Sequence, residues 1–246
     1  MRKLILSILT LLLLVSCNRD ENQYLPPNSF MSIATVENPT QSSGFYFRLD
    51  NNDRMWVTTT NFPYYRPADG QRIIASYSIL SVNGENNLYN HKVSLNDVYE
   101  VLTKKIFKIT TATQDSIGND AININDMWVG SNYLNVEFNY QGQNKIHYIN
   151  LVSDSTKTYT DGKVHLEFRH NANNDNPLFW KWGIVSFNLK SLQPLAVGDS
   201  VNMVIHTKEF GTNVDKSYNL TYKFGTAAAI QQVKKVFIPT DSNSVQ

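Results

Sequence analysis

The sequence predicts an all-β protein, and three observations carry that prediction. Short runs of Thr, Tyr, Val, Ile and Phe alternate apolar with polar residues, the two-residue period of a half-buried strand. Asn, Asp and Gly separate the runs, and Asn alone supplies 29 of 246 residues. Asn suits turns because it tolerates left-handed backbone. The runs recur through the chain with no fixed 20–50 residue repeat, which excludes a solenoid or propeller.

Taken in order, the first strand is Phe30 to Glu37. Phe45 to Leu49 and Arg54 to Thr58 flank Asp50-Asn51-Asn52-Asp53, a polar hairpin loop. Pro63 to Pro67 interrupts the pattern, and Asp69-Gly70 marks a turn. In Gln71 to Leu80, Ile73, Ala75, Tyr77 and Ile79 share a face. Asn83-Gly84 is a hairpin dipeptide, after which Tyr89, His91, Val93 and Leu95 alternate. Asn96 to Ile109 is ambiguous. Val98, Val101 and Leu102 fit a helical turn capped by Asn96 or Asp97, whereas Ile106, Phe107 and Ile109 fit a strand; a short turn followed by a strand is expected.

Thr110 to Asp120 is polar and contains no run, so a domain boundary is expected near 112. Seven further strands are expected at Ala121–Val129, Tyr133–Tyr140, Lys145–Val152, Lys163–His170, Trp180–Leu189, Ser200–Glu209 and Ser217–Phe224, a spacing that favours a β-sandwich. Thr226 can cap a short helix through Ala227-Ala228-Ala229. Residues 241–246 are expected to form a tail. The resulting division is 29–112 and 113–240, each long enough for its own core.

The N-terminus concerns location. Arg2 and Lys3 precede an apolar run from Leu4 to Val15, broken only by Ser7 and Thr10. As a helix this run spans roughly 18 Å, short of a ~30 Å bilayer core, so it reads as a signal-peptide segment over residues 1–16. It ends at Leu14-Val15-Ser16-Cys17, which resembles a bacterial lipobox. Cys17 is the only cysteine, so no intrachain disulfide and no Cys-based zinc site can form. Lipidated Cys17 is expected to anchor the chain in a bilayer, because several acyl chains hold far more firmly than one. Residues 17–28 form a polar tether. Its Arg19-Asp20-Glu21 resembles the export signal of surface lipoproteins of Bacteroides-type bacteria, which places the protein on the outer membrane, facing outward. Cleavage before Cys17 removes Arg2 and Lys3 from 22 basic residues. The remaining 20 face 21 acids, a net charge of −1 that gives no support for nucleic-acid binding.

Phe45-Tyr46-Phe47-Arg48-Leu49-Asp50, Arg66-Pro67-Ala68-Asp69-Gly70-Gln71-Arg72, His147-Tyr148-Ile149-Asn150-Leu151-Val152 and Trp182-Gly183-Ile184-Val185-Ser186-Phe187 resemble NigD-like lipoproteins. So do Asp115 to Asp120 and Leu166 to Asp175. The resemblance covers nearly the whole chain after the signal segment. It implies an N-terminal OB-like β-barrel followed by an antiparallel β-sandwich. It also implies an immunity or accessory role beside a bacteriocin, and brings no catalytic residues.

The residues themselves hold no G-x-S-x-G, S-x-x-K, H-E-x-x-H, P-loop or G-x-G-x-x-G motif. The expectation is a non-catalytic, membrane-anchored binding protein without a cofactor or metal, whose partner is a macromolecule such as a bacteriocin or another envelope protein. The alternative is a glycan-binding lipoprotein. On an alternating strand Trp180, Trp182 and Ile184 share one face, and Tyr64 and Tyr65 sit on a Pro-bounded loop; these four aromatics are the candidate ligand- or partner-binding residues. Against that stands ordinary packing of the tryptophans in a core or between domains. His165-x-Glu167 with His170 nearby is the best metal candidate, although alternation turns His170 to the other face. Asn173-Asn174-Asp175-Asn176 offers oxygen ligands but lacks the spacing of a calcium loop.

Overall fold

A computed structural model describes residues 29–37, 44–82, 88–113, 117–211 and 215–224. The signal segment, Cys17 and the tether, the Asn83-Gly84 turn, the Thr226 cap and the tail lie outside the described residues.

Five strands close a small barrel: β1 (Ser29–Glu37), β2 (Tyr46–Leu49), β3 (Arg54–Thr60), β4 (Arg72–Val82) and β5 (His91–Glu100). Their order around the barrel is β1-β2-β3-β5-β4, with β3 parallel to β5 and the other pairs antiparallel. This is the five-stranded closure of an OB fold. The β2–β3 hairpin turns where expected. Leu49 N donates to Asp53 O, and Asn52 takes the left-handed conformation at φ 73°. Phe47, Leu49, Met55, Val57, Ile73, Ala75, Tyr77, Val93 and Leu95 fill the interior.

The helical turn expected at 96–102 is instead the end of β5. The register of β4 on β5 passes from Tyr77↔Leu95 to Ser76↔Asp97, so Asn96 is an extra, bulged residue. A bulge restarts the alternation one residue late. Leu95 and Val98 therefore both pack on the barrel core at a spacing of three, which mimics a helix.

The remaining strands are β6 (Leu102–Lys105), β7 (Phe107–Ile109), β8 (Asn123–Gly130), β9 (Tyr133–Gly142), β10 (Tyr148–Asp154), β11 (Val164–Asn171), β12 (Phe179–Asn188), β13 (Ser200–Thr207) and β14 (Lys216–Lys223). A five-stranded sheet β14-β13-β11-β10-β7 faces a four-stranded sheet β6-β12-β9-β8. Leu134, Val136, Phe138, Leu151, Leu166, Phe168, Phe187 and Ile205 interdigitate between them. A 3-10 helix, Lys190–Leu195, joins β12 to β13. β6 and β7, which lie before the boundary expected near 112, pair in parallel with β12 and β10 and so belong to the sandwich sheets. The changeover therefore falls at Val101, where β5 runs into β6 without a polar linker.

The barrel and the sandwich share a third cluster. Met31, Ile33, Ile74 and Val101 from the barrel meet Trp182 and Ile184 of β12. Beside it Arg72 is fully buried. Its guanidinium makes a two-pronged ion pair with Asp50, at 2.7 and 2.9 Å, and donates to Thr35 Oγ1 and to Asn135 Oδ1 at 3.0 Å each. It also lies over the Tyr133 ring. Asn135 Nδ2 returns a bond to Asp50, and Ser186 Oγ donates to Asn135 Oδ1. Groups from β1, the β2–β3 turn, β9 and β12 thus satisfy one buried cation on β4.

Candidate functional site

The two aromatic pairs expected to bind a ligand are each split by the fold. Trp180 and Trp182 do share the outer face of the four-stranded sheet. Trp182, however, is only 6% exposed, because the barrel covers it. Its Nε1–H donates to Glu137 Oε1 at 2.9 Å, and Tyr99 meets its ring edge-on at 6.4 Å. It is a joint residue, not a surface platform. Trp180, one step further along β12, stands clear of the joint at 54% exposed and meets Phe210 edge-on. On the barrel, Tyr64 is 90% exposed, while Tyr65 turns in against Phe45. Burial, helped by the charge of Glu100, pushes the Tyr65 phenol up to about 12.

The metal candidate is taken apart in the same way. His165 and Glu167 share the outer face of the five-stranded sheet, and His170 points to the other side, as alternation requires. Glu167 is occupied by Lys157 and Arg169. His165 Nε2–H donates to Asp161 Oδ1 at 2.9 Å, which holds that carboxyl below its usual range. His165 Nδ1 then accepts from His206 Nε2–H, and His206 Nδ1 accepts from the Ser217 hydroxyl, both at 2.9 Å. Tyr159 lies flat on His165 at 3.6 Å. The chain Asp161–His165–His206–Ser217 fastens the β10–β11 connection to the sheet.

A second chain of this kind closes the end of the sandwich core. His170 Nδ1–H donates to the Ala121 carbonyl, and its Nε2 accepts from His147 Nδ1–H at 2.7 Å. His147 Nε2 lies 3.2 Å from Asp175 Oδ2. Burial, with His147 alongside, pushes His170 down to about 4. Burial would raise Asp175, but backbone N–H donors from Gln143 and Asn144 and the bond to His147 outweigh it and hold the carboxyl well below its usual range. In the Asn-rich loop, Asn173 and Asn174 adopt left-handed backbone and Asn171 Oδ1 accepts from Asn173 N, the local bonding of a turn. Among the described residues no group of three His, Cys, Asp or Glu side chains is placed to hold a metal ion.

The cluster that sequence reasoning missed lies on the outer face of the barrel. Cross-strand pairing sets Glu37, Tyr46, Trp56 and Lys92 in one row over β1, β2, β3 and β5. Tyr89 packs on both Tyr46 and Trp56, with ring centroids 6.3 and 5.0 Å away. Lys92 Nζ sits 5.5 Å above the Trp56 ring, and Arg54 lies over Tyr46. Arg48 and Arg54, opposite each other on β2 and β3, share Glu37 at 2.6 and 2.7 Å. Burial pushes Glu37 up, but bonds from both arginines outweigh it and hold its carboxyl below the usual value. Among the described residues, Trp56 Nε1 and the Tyr89 hydroxyl are buried without a hydrogen-bond partner. The only signal in the sequence was a local excess of aromatic and basic residues, spread from Tyr46 to Lys92.

Family models bring these units together. The NigD-like N-terminal OB domain matches residues 33–101, and the NigD-like C-terminal β-sandwich domain matches residues 105–222. The chain belongs to the NigD-like family. Solved structures agree. A protein from Parabacteroides distasonis, designated toxin-related, shares 31% identity, covers 79% of this chain and 93% of its own, and superposes with a TM-score of 0.64. A protein of unknown function from Bacteroides vulgatus shares 28% identity over 89% of this chain and all of its own, at a TM-score of 0.71. A NigD-like immunity protein from Bacteroides caccae, at 19% identity, covers 77% of this chain and 90% of its own at a TM-score of 0.59, and shares the fold. No curated protein matches the chain.

Proposed function

We propose that this NigD-like protein is a non-catalytic lipoprotein, held through acyl chains on Cys17 in the outer membrane and facing outward, that binds a protein partner in a bacteriocin-associated role. The observation that carries the reading is the family assignment over both domains, together with the 31% identical relative designated toxin-related. The lipobox ending at Cys17 supports the anchor. Among the described residues no helix is long and apolar enough to cross a membrane.

The architecture suits binding. The Arg72 network and the Trp182 cluster join barrel to sandwich, so an exposed face of either is presented on a stiff body. The glycan reading has no comparable support, since the ring contacts of three of its four aromatics lead elsewhere, Trp180 to Phe210, Trp182 to Tyr99 and Tyr65 to Phe45, and Tyr64 stands apart from them.

The test is a strain lacking the gene, challenged with culture medium from bacteriocin-producing relatives. Loss of survival that is restored by the wild-type gene supports the reading. Survival unchanged across producers contradicts the bacteriocin association.

A further inference from the structure

The two histidine chains of the sandwich differ in what stands at their ends, and the ends fix how many protons each chain must hold. A neutral imidazole carries one N–H and one bare nitrogen; an imidazolium carries an N–H on both. In Asp161–His165–His206–Ser217 the far end is a hydroxyl that brings its own proton, so two neutral rings fill the remaining gaps. Ala121–His170–His147–Asp175 ends instead in a carbonyl and an ionised carboxylate, and neither brings a proton. Its three gaps, of 3.1, 2.7 and 3.2 Å, need three ring N–H groups, one more than two neutral imidazoles supply. With only two, one gap would set two bare acceptors against each other. The site is closed: His147 and His170 are 1% and 2% exposed, and the Asp175 side chain 4%. Gly142 permits the approach, since a Cβ there would stand 2.7 Å from His147 Nε2 and 3.0 Å from Asp175 Oδ2. Burial keeps the extra charge off His170, and the Asp175 carboxylate draws it to His147. Among the described residues, the other charged or titratable groups around the pair are Asp120, Tyr140 and Lys145. Asp120 lies beside His170 and accepts from Ala172 N. The Tyr140 ring packs 4.7 Å from His147, and burial, with Tyr99 and Asp175, pushes its phenol up to about 12, so it stays neutral. Lys145 Nζ is spent on the Asn173 and Asn174 carbonyls.

We infer that His147 and His170 together hold one proton beyond two neutral rings, placed as a His147 imidazolium against Asp175, and that this proton latches the 172–178 connection onto the turn between β9 and β10. The inference goes beyond the partner reading and does not depend on it. Asp175 transmits the latch, because it also accepts from the backbone N–H groups of Gln143 and Asn144 in that turn. A second extra proton, on His170, would set N–H against N–H across the 2.7 Å gap and bring two cations side by side, so the latch opens in acid. Asp175 is still ionised near pH 4, where His170 takes up its proton, so opening there is the work of the histidines.

The experiment uses the chain from residue 18 onward, isotope-labelled at the histidine nitrogens, and reads each ring nitrogen in long-range proton–nitrogen correlation spectra at pH 7. His147 shows both nitrogens protonated and His170 only Nδ1, while His165 and His206 each carry a single N–H. Asp175→Asn puts an amide donor opposite His147 Nε2, so the third ring proton leaves and His147 becomes neutral. Amide exchange tests the latch. Corrected for its intrinsic pH dependence, protection of Gln143 and Asn144 falls about tenfold or more between pH 7 and pH 4, while that of Phe168 in β11 holds. In His170→Asn, which takes up no proton, that fall is absent. Cooperative melting shows that the variants are folded, and Asp175→Asn serves if His170→Asn is not. A single N–H on His147 at pH 7, a His147 ring unaltered by Asp175→Asn, or protection of Gln143 and Asn144 unchanged at pH 4 overturns the inference. So does an equal fall in His170→Asn. None of these readings involves a partner, so their failure leaves the partner reading standing.

Discussion

Arg72 is the residue whose loss should be felt most, because it is a fully buried cation serving both domains. Replacing it with Met preserves length and apolar stem while deleting the charge. The Asp50 carboxylate, 12% exposed, then keeps only the Asn135 Nδ2 bond at 3.2 Å, and the Thr35 and Asn135 oxygens lose a donor. Removing one partner of a buried pair costs about 3–5 kcal/mol, most of it the desolvated charge left behind. Asp50→Leu should cost about the same, for the reciprocal reason. The double variant leaves no unpaired charge, so its loss should fall short of the sum of the singles by about 2 kcal/mol or more. Urea unfolding read by tryptophan fluorescence measures all four proteins, since Trp182 sits in the joint. Single losses below about 1 kcal/mol, or a strictly additive double variant, would refute the claim that this network holds the joint.

Other consequences are open to equally direct measurement. His170 has its ring pKa lowered on folding, so the unfolded chain binds its proton more readily. Stability is therefore complete above about pH 6.5 and declines as pH falls toward 4, by about 3 kcal/mol in all. His206, lowered by burial and by His165, adds to this window, and Asp175, lowered by its hydrogen bonds, adds a further loss that sets in as pH falls through the ordinary carboxylate value, where the unfolded chain takes up the proton. Urea midpoints between pH 7 and 4 should be visibly flatter for His170→Asn; an unchanged slope would remove His170 from the account. Trp182→Ala should cost about 3–5 kcal/mol and Trp180→Ala less than about 1, because only the former is enclosed; equal losses would contradict the split between them. Gly130→Ala should destabilise the joint, since a Cβ there would overlap the Asp50 carboxylate; a neutral melting temperature would show that the carboxylate can yield. Cys17→Ser should move the protein from the membrane to the soluble fraction, and unchanged sedimentation with membranes would count against the lipid anchor.

Much of the fold could be read from the chain because each domain obeys strand periodicity locally. Ile73, Ala75 and Tyr77 alternate into the barrel, and Leu166 and Phe168 into the sandwich, as their spacing demands. The reading failed where a single residue altered the period. Asn96 bulges and turns a two-residue repeat into an apparent helical one. It also failed where the decisive partner was distant in sequence. Arg72 looks like an outward polar residue of β4 until Asp50 and Asn135, 22 and 63 residues away, enclose it. Tyr46, Trp56 and Lys92 form a row only because β3 runs parallel to β5, a pairing made by barrel closure and not by any hairpin. The sandwich histidines likewise pair from separate elements, His165 with His206 and His147 with His170.

The most direct test of the account is crosslinking with quantitative mass spectrometry on intact outer membranes carrying the wild-type protein, with the gene-deletion strain as background. The account predicts one protein enriched on the wild-type chain and crosslinked to the barrel or sandwich surface. No protein enriched over the deletion background, under any growth condition tried, would contradict the claim that this protein works by binding a protein partner.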